Sequence, residues 1–223
     1  DRKHTPRLSV KSRAVYLQSL LNFAPSSILA LALMDGFHVS HPDFRLTAMA
    51  QFVREGGVVA CPAEAVWGLS CNPFSDVAVS TLLAMKQRPA SKGLIIVAAE
   101  EWMLEPVLCG LSAIHRKTLS LSWPGPNTWL VPNCGVFPYW ITGDSDEVAV
   151  RITSSPSLSA LSRAAGGPLV STSANPAGAN PARWGFQVAR YFGAALPRAA
   201  GQVSLQGKPS TIRRVATGEV IRA

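Results

Sequence analysis

The sequence lacks the long apolar runs and the dense charge that would assign it to two large protein classes. Its longest apolar candidate runs only from Ile28 to Met34, whereas a membrane-spanning helix needs about 20 apolar residues. Charged residues make up 15% of the 223 residues and hydrophobic residues 48%, while disordered chains combine low hydrophobicity with high net charge. The sequence therefore excludes a membrane-spanning helix and disorder of the whole chain, and it is long enough to bury a sizeable core.

Cysteine is scarce, and its spacing matches no metal or redox motif. The sequence contains only Cys61, Cys71, Cys109 and Cys134. No CxxC pair occurs, and no histidine lies at a zinc-ligand spacing from a cysteine. We therefore expect reduced thiols and a cytoplasmic protein. His38 and His41 have a spacing that a metal could use, but they lie in a loop-like stretch, where solvated histidines are the plainer interpretation.

Three common signatures of nucleotide and acyl chemistry are also absent. The sequence has no GxxxxGK[ST] phosphate loop, no GxGxxG turn after a strand and no GxSxG nucleophile elbow. Neither a P-loop nucleotidase nor a Rossmann dinucleotide enzyme is therefore indicated.

Acidic residues are few, and the resulting positive charge is unevenly distributed. The chain has 13 Asp and Glu against 21 Lys and Arg, a net charge of +8 and a pI near 9.8. Residues 1–33 carry five of these cations and only Asp1 as an acid. The segment is a poor signal or transit peptide, because its apolar run is short and no clear cleavage site follows. We interpret it as a basic extension, disordered or foreign to the natural protein, before a domain spanning residues 34–223.

Helical and strand patterns alternate from about residue 42 onward. Helices are predicted over residues 44–55, 76–86 and 157–165, and over 99–122 with a break near Gly110. Short apolar strands are predicted over residues 58–61, 94–99, 128–132, 148–152 and 169–171. This alternation predicts an α/β fold in which helices cover a sheet and loops at the strand ends are available for a site.

A basic loop is the first candidate for chemistry. Lys86, Arg88 and Lys92 fall within seven residues, between a predicted helix and a predicted strand. An arginine fork and lysine point charges can converge on a polyanion such as a triphosphate. A solvated basic loop is the alternative that composition alone leaves open.

Polar residues at two predicted strands form further candidates. Ser171, Ser173 and Asn175 follow or end an apolar strand and could donate to phosphate or carboxylate, although such runs also cap turns. Arg151 lies in an otherwise apolar strand, where an unpaired charge is costly. It must therefore pair either with a carboxylate-bearing ligand or with a structural salt-bridge partner.

Three other residues carry weaker signals. Ser210 and Arg222 lie in a segment that is, by itself, little more than a basic tail. Glu64 follows the first predicted strand and could be catalytic, but an isolated glutamate beside a proline also caps turns.

Taken in order, these clusters resemble one family, the YrdC-like L-threonylcarbamoyladenylate synthases in their short bacterial form. The matching segments are Pro62 to Leu69, Leu83 to Leu94, Trp123 to Trp129, Val148 to Arg151, Leu169 to Asn175 and Pro209 to Val220. Six ordered matches over about residues 44–222 are far more specific than any one alone. The resemblance implies a single α/β domain, a twisted mixed sheet flanked by helices with a concave basic ligand-binding face.

The resemblance also implies a reaction. Members of the family join L-threonine, bicarbonate or CO2, and ATP into threonylcarbamoyl-AMP with release of pyrophosphate. The product serves the N6-threonylcarbamoyl modification of adenosine 37 in tRNA, which requires further transfer proteins. Such a reaction needs positioning and charge neutralisation more than a protein nucleophile, so the missing nucleophile motif is expected.

Residue roles follow from the family's motifs. Its Lys-x-Arg motif falls on Lys86 and Arg88, which are expected at the ATP phosphates and the carbamoyl end as the catalytic pair. Nucleotide contacts are expected from Arg88, Lys92, Ser173, Asn175 and Arg222. Contacts to threonine and the remaining ligand atoms are expected from Arg151, Ser171 and Ser210. Magnesium should accompany the triphosphate through phosphate oxygens.

The sequence departs from the family's pattern at three positions. Ala63 replaces the usual threonine before Glu64, and Ser70 and Asn72 replace a glycine and an aspartate. None is a Lys-x-Arg or Ser-x-Asn position, so activity should persist, with weaker threonine binding as the expected cost.

Two alternatives accompany this interpretation. A basic YrdC-like module could bind RNA without synthase activity, in which case binding would weaken steeply with salt and ignore threonine. The carbamoyl-transfer domain of hydrogenase maturation proteins has the same fold, but it belongs to a much longer multidomain chain, and nothing in this sequence suggests its other domains.

Overall fold

The structure is a computed structural model that describes residues 42–204, 207 and 209–223. The basic extension predicted for residues 1–33, the proposed start at Met34, and the loop histidines His38 and His41 lie outside these residues.

The described residues form helices and strands in an alternating order. The α-helices are α1 (Pro42–Arg54), α2 (Asp76–Lys86), α3 (Glu105–Leu108), α4 (Ala113–Ser122), α5 (Tyr139–Thr142), α6 (Pro156–Ala165) and α7 (Gly185–Phe192). Short 3-10 turns span Ala90–Lys92 and Glu101–Leu104. The strands are β1 (Val59–Pro62), β2 (Trp67–Ser70), β3 (Ile95–Ala98), β4 (Asn127–Pro132), β5 (Glu147–Ile152), β6 (Leu169–Ser173), β7 (Thr211–Arg214) and β8 (Val220–Arg222).

All eight of these strands belong to one mixed sheet. Their order across the sheet is β1-β2-β6-β3-β5-β4-β7-β8. The pairs β3–β5 and β4–β7 are parallel, and the remaining neighbours are antiparallel. This order places β5 and β6, which are distant from each other in sequence, on either side of β3, the strand that follows the basic loop.

The two faces of the sheet bury separate apolar clusters. Val97 and Leu169 pack with residues of α1 and α6, whereas their neighbours Ile96 and Val170 belong to a larger cluster on the opposite face. Successive side chains of a strand point to opposite faces, so two clusters separated by one residue are what a sheet covered on both sides requires. The predicted α/β fold is therefore confirmed.

Helix α2 shows how the local sequence sets the element that carries the basic loop. The Ser75 hydroxyl accepts a hydrogen bond from the Ala78 backbone N–H at 3.3 Å, which caps the helix start. The helix ends where Gln87 adopts a left-handed conformation with φ of 53°. These bounds confirm the helix predicted over residues 76–86, and they fix where Lys86 and Arg88 leave the helix.

Of the helical prediction for residues 99–122, the break near Gly110 is confirmed, but the part before the break was wrong. A 3-10 turn and the four-residue helix α3 occupy its first half, and α4 begins only at Ala113. The Ser112 hydroxyl accepts from the His115 N–H at 3.2 Å and so starts a new helix.

Strands β2, β7 and β8 and helices α5 and α7 were not predicted from the sequence. Helix α7 could have been found, because it buries Val188, Tyr191 and Phe192 at helical spacing.

The described residues include all four cysteines, and all are free. Cys61 and Cys71 are buried, and burial raises the pKa of both thiols. Cys109 and Cys134 are exposed. No helix within residues 42–204, 207 and 209–223 is long and apolar enough to cross a membrane.

Candidate active site

A cavity of about 550 Å³ lies over one face of the sheet and collects most of the predicted site residues. Its walls include Arg88, Lys92, Arg151, Ser171, Ser173, Ser210 and Arg222. These residues come from the basic loop and from strands or strand ends of β5, β6, β7 and β8. Two other predicted residues, Lys86 and Asn175, do not line this cavity and lie behind its wall.

The alternation of side chains along β5 explains how Arg151 reaches the cavity. Glu147, Ala149 and Arg151 line it, while Val148 and Val150 are buried in the core on the other face. The ladder register places Ile95 beside both Ala149 and Ser171. Partners in a ladder share a face, so the hydroxyl-rich end of β6 and the charged end of β5 meet over the same part of the sheet.

The basic loop is held in a closed conformation by its own backbone. An Arg88 Nη2 group donates to the Lys92 carbonyl at 3.0 Å and to the Gly93 carbonyl at 2.8 Å. The Arg88 Nε is buried without a hydrogen-bond partner, and burial lowers the pKa of this guanidinium. Lys92 is exposed at the cavity wall. The loop therefore places the guanidinium of Arg88 and the ammonium of Lys92 at the wall of the same cavity.

Lys86 lies at the end of α2, behind the cavity wall. Its buried ammonium donates to the Ser173 carbonyl and, at 3.1 Å, to the Asn175 carbonyl. Its own carbonyl accepts from the Ala177 N–H at 3.0 Å. Burial, with a smaller contribution from Arg88, lowers the pKa of Lys86 to about 8. Lys86 thus joins the end of α2 to the segment that follows β6.

The Ser-x-Asn segment has one residue in the cavity wall and one behind it. Ser173 lines the cavity, as does Ser171 two residues earlier. Asn175 instead uses its Nδ2 to donate to the Pro176 carbonyl at 3.1 Å and the Ala179 carbonyl at 2.9 Å. Its Oδ1 is buried without a partner. Asn175 therefore shapes the turn after β6.

Arg151 is buried and paired with Glu64. The Arg151 Nη2 lies 3.1 Å from Glu64 Oε2, and their side chains are only 7% and 13% exposed. The Arg151 Nε has no hydrogen-bond partner. Burial lowers the pKa of Arg151 most, Glu64 opposes this shift, and nearby Arg222 adds to it. Of the two alternatives left open by the sequence, the salt bridge is present, and both partners line the cavity.

The far wall of the cavity is formed by the β7–β8 hairpin. Arg222 Nη2 donates to the Ser210 carbonyl at 2.8 Å and to the Ser210 hydroxyl at 3.2 Å. The Thr128 hydroxyl lies 2.9 Å from the same hydroxyl. Burial lowers the pKa of Arg222. The apparent basic tail is thus an ordered hairpin that carries a cation and a hydroxyl into the site.

Three residues of the site region were missed from the sequence. Thr128 and Thr153 carry hydroxyls at strand ends, and only their bonds to Ser210 and Glu64 reveal their positions. Glu147 could have been found, because it stands four residues before Arg151 on the same face of β5. It pairs with Arg214, whose Nε lies 3.0 Å from Glu147 Oε2.

The charges of the cavity wall favour an anionic ligand. Arg88, Lys92, Arg151 and Arg222 contribute four cations. Glu64 pairs with one of them, Arg151, and Glu147 pairs with Arg214, so Arg88, Lys92 and Arg222 have no carboxylate partner among the described residues. Within the part of the chain that the structure describes, no three His, Cys, Asp or Glu side chains form a group that could hold a metal ion. The cavity is suited to phosphate and carboxylate groups held by cations and hydroxyls.

Comparison with known proteins identifies the class that this fold and site define. A family model for Sua5, YciO and YrdC proteins, described as "Telomere recombination", matches residues 51–223. The chain belongs to this family, and the resemblance drawn from the six sequence segments is confirmed.

Individual members of the family are similar to this chain in sequence or in structure. Threonylcarbamoyl-AMP synthase of Cellvibrio japonicus is 50% identical over 179 residues, which cover 80% of this chain and 95% of that protein. The crystal structure of P. abyssi Sua5 complexed with L-threonine aligns with a TM-score of 0.73 and 30% identity. That alignment covers 80% of this chain but only 53% of the longer Sua5 chain. The crystal structure of E. coli YciO, at 19% identity and a TM-score of 0.71, shares the fold and covers 82% of this chain and 89% of its own.

Proposed function

We propose that the protein is an L-threonylcarbamoyladenylate synthase, a nucleotidyl-transferring enzyme that uses L-threonine, bicarbonate or CO2, and ATP. The observation that carries this proposal is one cavity in which a buried, paired Arg151 faces the same space as Arg88, Lys92 and Arg222. A carboxylate and a triphosphate would each find cations there. A relative named threonylcarbamoyl-AMP synthase, 50% identical to this chain, supports the same assignment.

The proposed chemistry requires no protein nucleophile. The threonine amine adds to CO2 and loses a proton, which forms a carbamate. A carbamate oxygen then attacks the α-phosphorus of ATP. The bond between the α-phosphorus and the oxygen that bridges the α- and β-phosphates breaks, and pyrophosphate leaves with that oxygen. The protein's task is to hold the two anions in line and to neutralise the charge that develops on the phosphate oxygens.

Each wall of the cavity would have its own part in that task. Arg88 and Lys92 would hold the phosphates, because both are cations of the basic loop and both line the cavity. Arg151 and Ser171 would hold the threonine. Ser173 would contact the nucleotide. These assignments follow from the cavity lining and from the charge of each group.

The remaining predicted residues would act at the edges of the site. Ser210 and Arg222 would close the far wall around the ligand. Lys86 and Asn175 lie behind the wall, so their effect on the nucleotide would pass through the turn after β6.

Magnesium would enter as part of the substrate. The two cavity carboxylates are engaged by Arg151 and Arg214, so the described residues offer no carboxylate cage for a resident ion. Mg²⁺ prefers to keep waters and to bind through phosphate oxygens. MgATP is therefore the form of the nucleotide that these residues fit.

A second enzyme would have to use the product, threonylcarbamoyl-AMP. An acyl phosphate anhydride with AMP is reactive, so a transfer enzyme must pass its threonylcarbamoyl group to the tRNA adenosine that is modified. We expect this reaction in the cytoplasm, where ATP and tRNA occur together. We also propose that the catalytic domain spans residues 34–223, which intact-mass measurement of the natural protein would test.

The decisive experiment measures pyrophosphate release by the full chain with MgATP, omitting threonine and bicarbonate in turn. We expect release to require both. Arg88→Ala should lower kcat/KM by about 100-fold or more, because it removes a positioned charge from the phosphates.

Arg163→Ala is the matched control for the charge. Arg163 is an exposed arginine paired with Glu100 away from the cavity, and its loss should leave the rate unchanged. Release without threonine, or none from a folded protein that binds ATP, would contradict the proposed function.

A further inference from the structure

Glu64 lies in the cavity wall, yet its carboxylate contacts other residues of the protein. The residue belongs to the loop between β1 and β2 and lines the cavity. Its Oε2 is buried from solvent and makes no well-aligned hydrogen bond. A ligand in the cavity therefore cannot contact this oxygen directly, and the effect of Glu64 must pass through a neighbouring group.

The other carboxylate oxygen is fixed by the continuation of the strand that carries Arg151. The Thr153 hydroxyl donates to Glu64 Oε1 at 2.7 Å, and the Ser154 N–H donates at 3.1 Å. The Thr153 hydroxyl also accepts from the Ser155 N–H at 3.1 Å, which commits its proton to Glu64. Two donors on Oε1 fix the carboxylate plane, and Oε2 is left 3.1 Å from Arg151 Nη2.

Arg151 depends on this single contact. In residues 42–204, 207 and 209–223 the structure gives its guanidinium no other polar side-chain partner, and its Nε is unsatisfied. Arg222 lies near enough to repel it. Without an anion beside it, a buried guanidinium would lose its preferred orientation or draw in water.

We propose that Glu64 is a positioning residue for the amino-acid half of the site. It holds the Arg151 guanidinium in the orientation that receives the carboxylate of the incoming α-amino acid. This inference rests on the proposed function and deepens it, because it assigns selection for a free carboxylate to the Thr153–Glu64–Arg151 chain of contacts.

The substitution Glu64→Gln tests this role with little change of volume. Whichever way the amide turns, its NH₂ group faces either the donors Thr153 and Ser154 or the Arg151 guanidinium. The orientation of Arg151 should therefore be lost while the fold is kept.

Glu147→Gln is the matched control, because Glu147 is a second carboxylate in the same wall that pairs with Arg214 and not with Arg151. Any effect of removing one negative charge from the cavity is common to both variants.

The readout compares L-threonine with L-threoninamide, which lacks the carboxylate charge. We expect Glu64→Gln to raise the KM for threonine by about tenfold or more while the KM for MgATP changes by less than about threefold. The preference for threonine over the amide, as a ratio of kcat/KM values, should fall by about tenfold and should be unchanged in Glu147→Gln.

Every other outcome counts against the inference. Equal losses for threonine and the amide, or equal shifts in both KM values, would show a general structural role and overturn it. If Glu64→Gln does not fold, Thr153→Val carries the test, and an unchanged preference there would overturn it as well. A wild-type chain without threonine-dependent release would instead refute the proposed function, and with it the reaction that this inference serves.

Discussion

Lys86 is a buried cation whose partners are neutral. The residue is only 6% exposed, and its ammonium donates to two backbone carbonyls. No carboxylate in the described part of the chain pairs with it. Desolvation is therefore only partly compensated, which explains why the pKa of Lys86 falls from its usual range to about 8. The same residue also lies in the last turn of α2, where the helix dipole favours a cation.

This environment predicts a pH dependence of stability. A folded-state pKa of about 8 lies below the unfolded value of 10.5, so between these values the unfolded chain binds a proton that the folded chain has lost. Stability must therefore rise with pH across this window, and the full cost of burial applies below about pH 8. We expect the free energy of unfolding of the wild type, relative to Lys86→Met, to increase by about 2 kcal/mol from pH 7.5 to 10. Urea denaturation of both proteins at both pH values measures it, and a constant difference would contradict it.

At the residue scale, the sequence predicted which charges matter but not what they touch. Arg151 was recognised as costly in an apolar strand, yet both a ligand and a salt bridge remained open, because its partner Glu64 is 87 positions away in the sequence. Lys86 and Arg88 looked equivalent in their motif. They diverge because the left-handed Gln87 between them ends the helix and turns Arg88 toward the cavity.

At the scale of elements, the short helix α5 holds the basic loop in place. The Leu94 N–H donates to the Ile141 carbonyl at 2.8 Å, and the Asp144 N–H to the Ser91 carbonyl at 3.3 Å. Between these bonds, Gly143 has a φ of +62°, and a Cβ atom there would lie 2.3 Å from the Ser91 carbonyl oxygen. Only glycine permits this close approach.

Gly143→Ala should therefore displace the loop that carries Arg88 and Lys92. We expect the KM for MgATP to rise several-fold and stability to fall by more than the roughly 1 to 2 kcal/mol that positive φ alone costs. The matched control is Gly166→Ala, because Gly166 also ends a helix at positive φ but has open space around its Cβ position. Denaturation and steady-state kinetics of both variants measure the two effects. Equal losses of stability, with an unchanged KM, would exclude a specific contact between α5 and the loop.

Elements with strong local signals were predicted, and those defined by tertiary contacts were not. Helix α2 has a serine cap and a clear end, so its bounds were predicted correctly. Strand β2 contains Trp67, Gly68, Leu69 and Ser70, which is a short sequence with a glycine and without β-branched residues. It becomes a strand because β1 and β6 pair with it on both sides, and no local pattern reports that pairing.

At the scale of the whole molecule, the cavity concentrates positive charge, which favours the binding of an anion. Four cations share the cavity wall, and only Arg151 has a carboxylate partner in that wall. A bound anion would reduce the repulsion among the others. Ligand binding and stability should therefore be coupled more strongly for charged ligands than for neutral ones.

MgATP should stabilise the protein in a salt-dependent manner. At a concentration 100 times the low-salt Kd, we expect a gain of about 2.7 kcal/mol in the free energy of unfolding. The same MgATP concentration should give a smaller gain in about 0.5 M salt, because exposed cations such as Lys92 are screened. Adenosine, which lacks the phosphates, is the control and should show little salt dependence. Denaturation curves with each ligand measure this, and a salt-independent gain from MgATP would argue against phosphate binding by these cations.

Side chains along β5 alternate between the core and the cavity, so neighbouring positions of one strand are constrained by different requirements. Val148, Val150 and Ile152 pack in the core, whereas Glu147, Ala149 and Arg151 line the cavity. Substitutions at Val148, Val150 and Ile152 should therefore mainly affect folding, and those at Ala149 and Arg151 mainly ligand binding, so tolerance along this part of the strand would alternate with a period of two. A deletion of one residue would exchange the two sets of side chains between the faces, so we expect β5 not to accept a change in length.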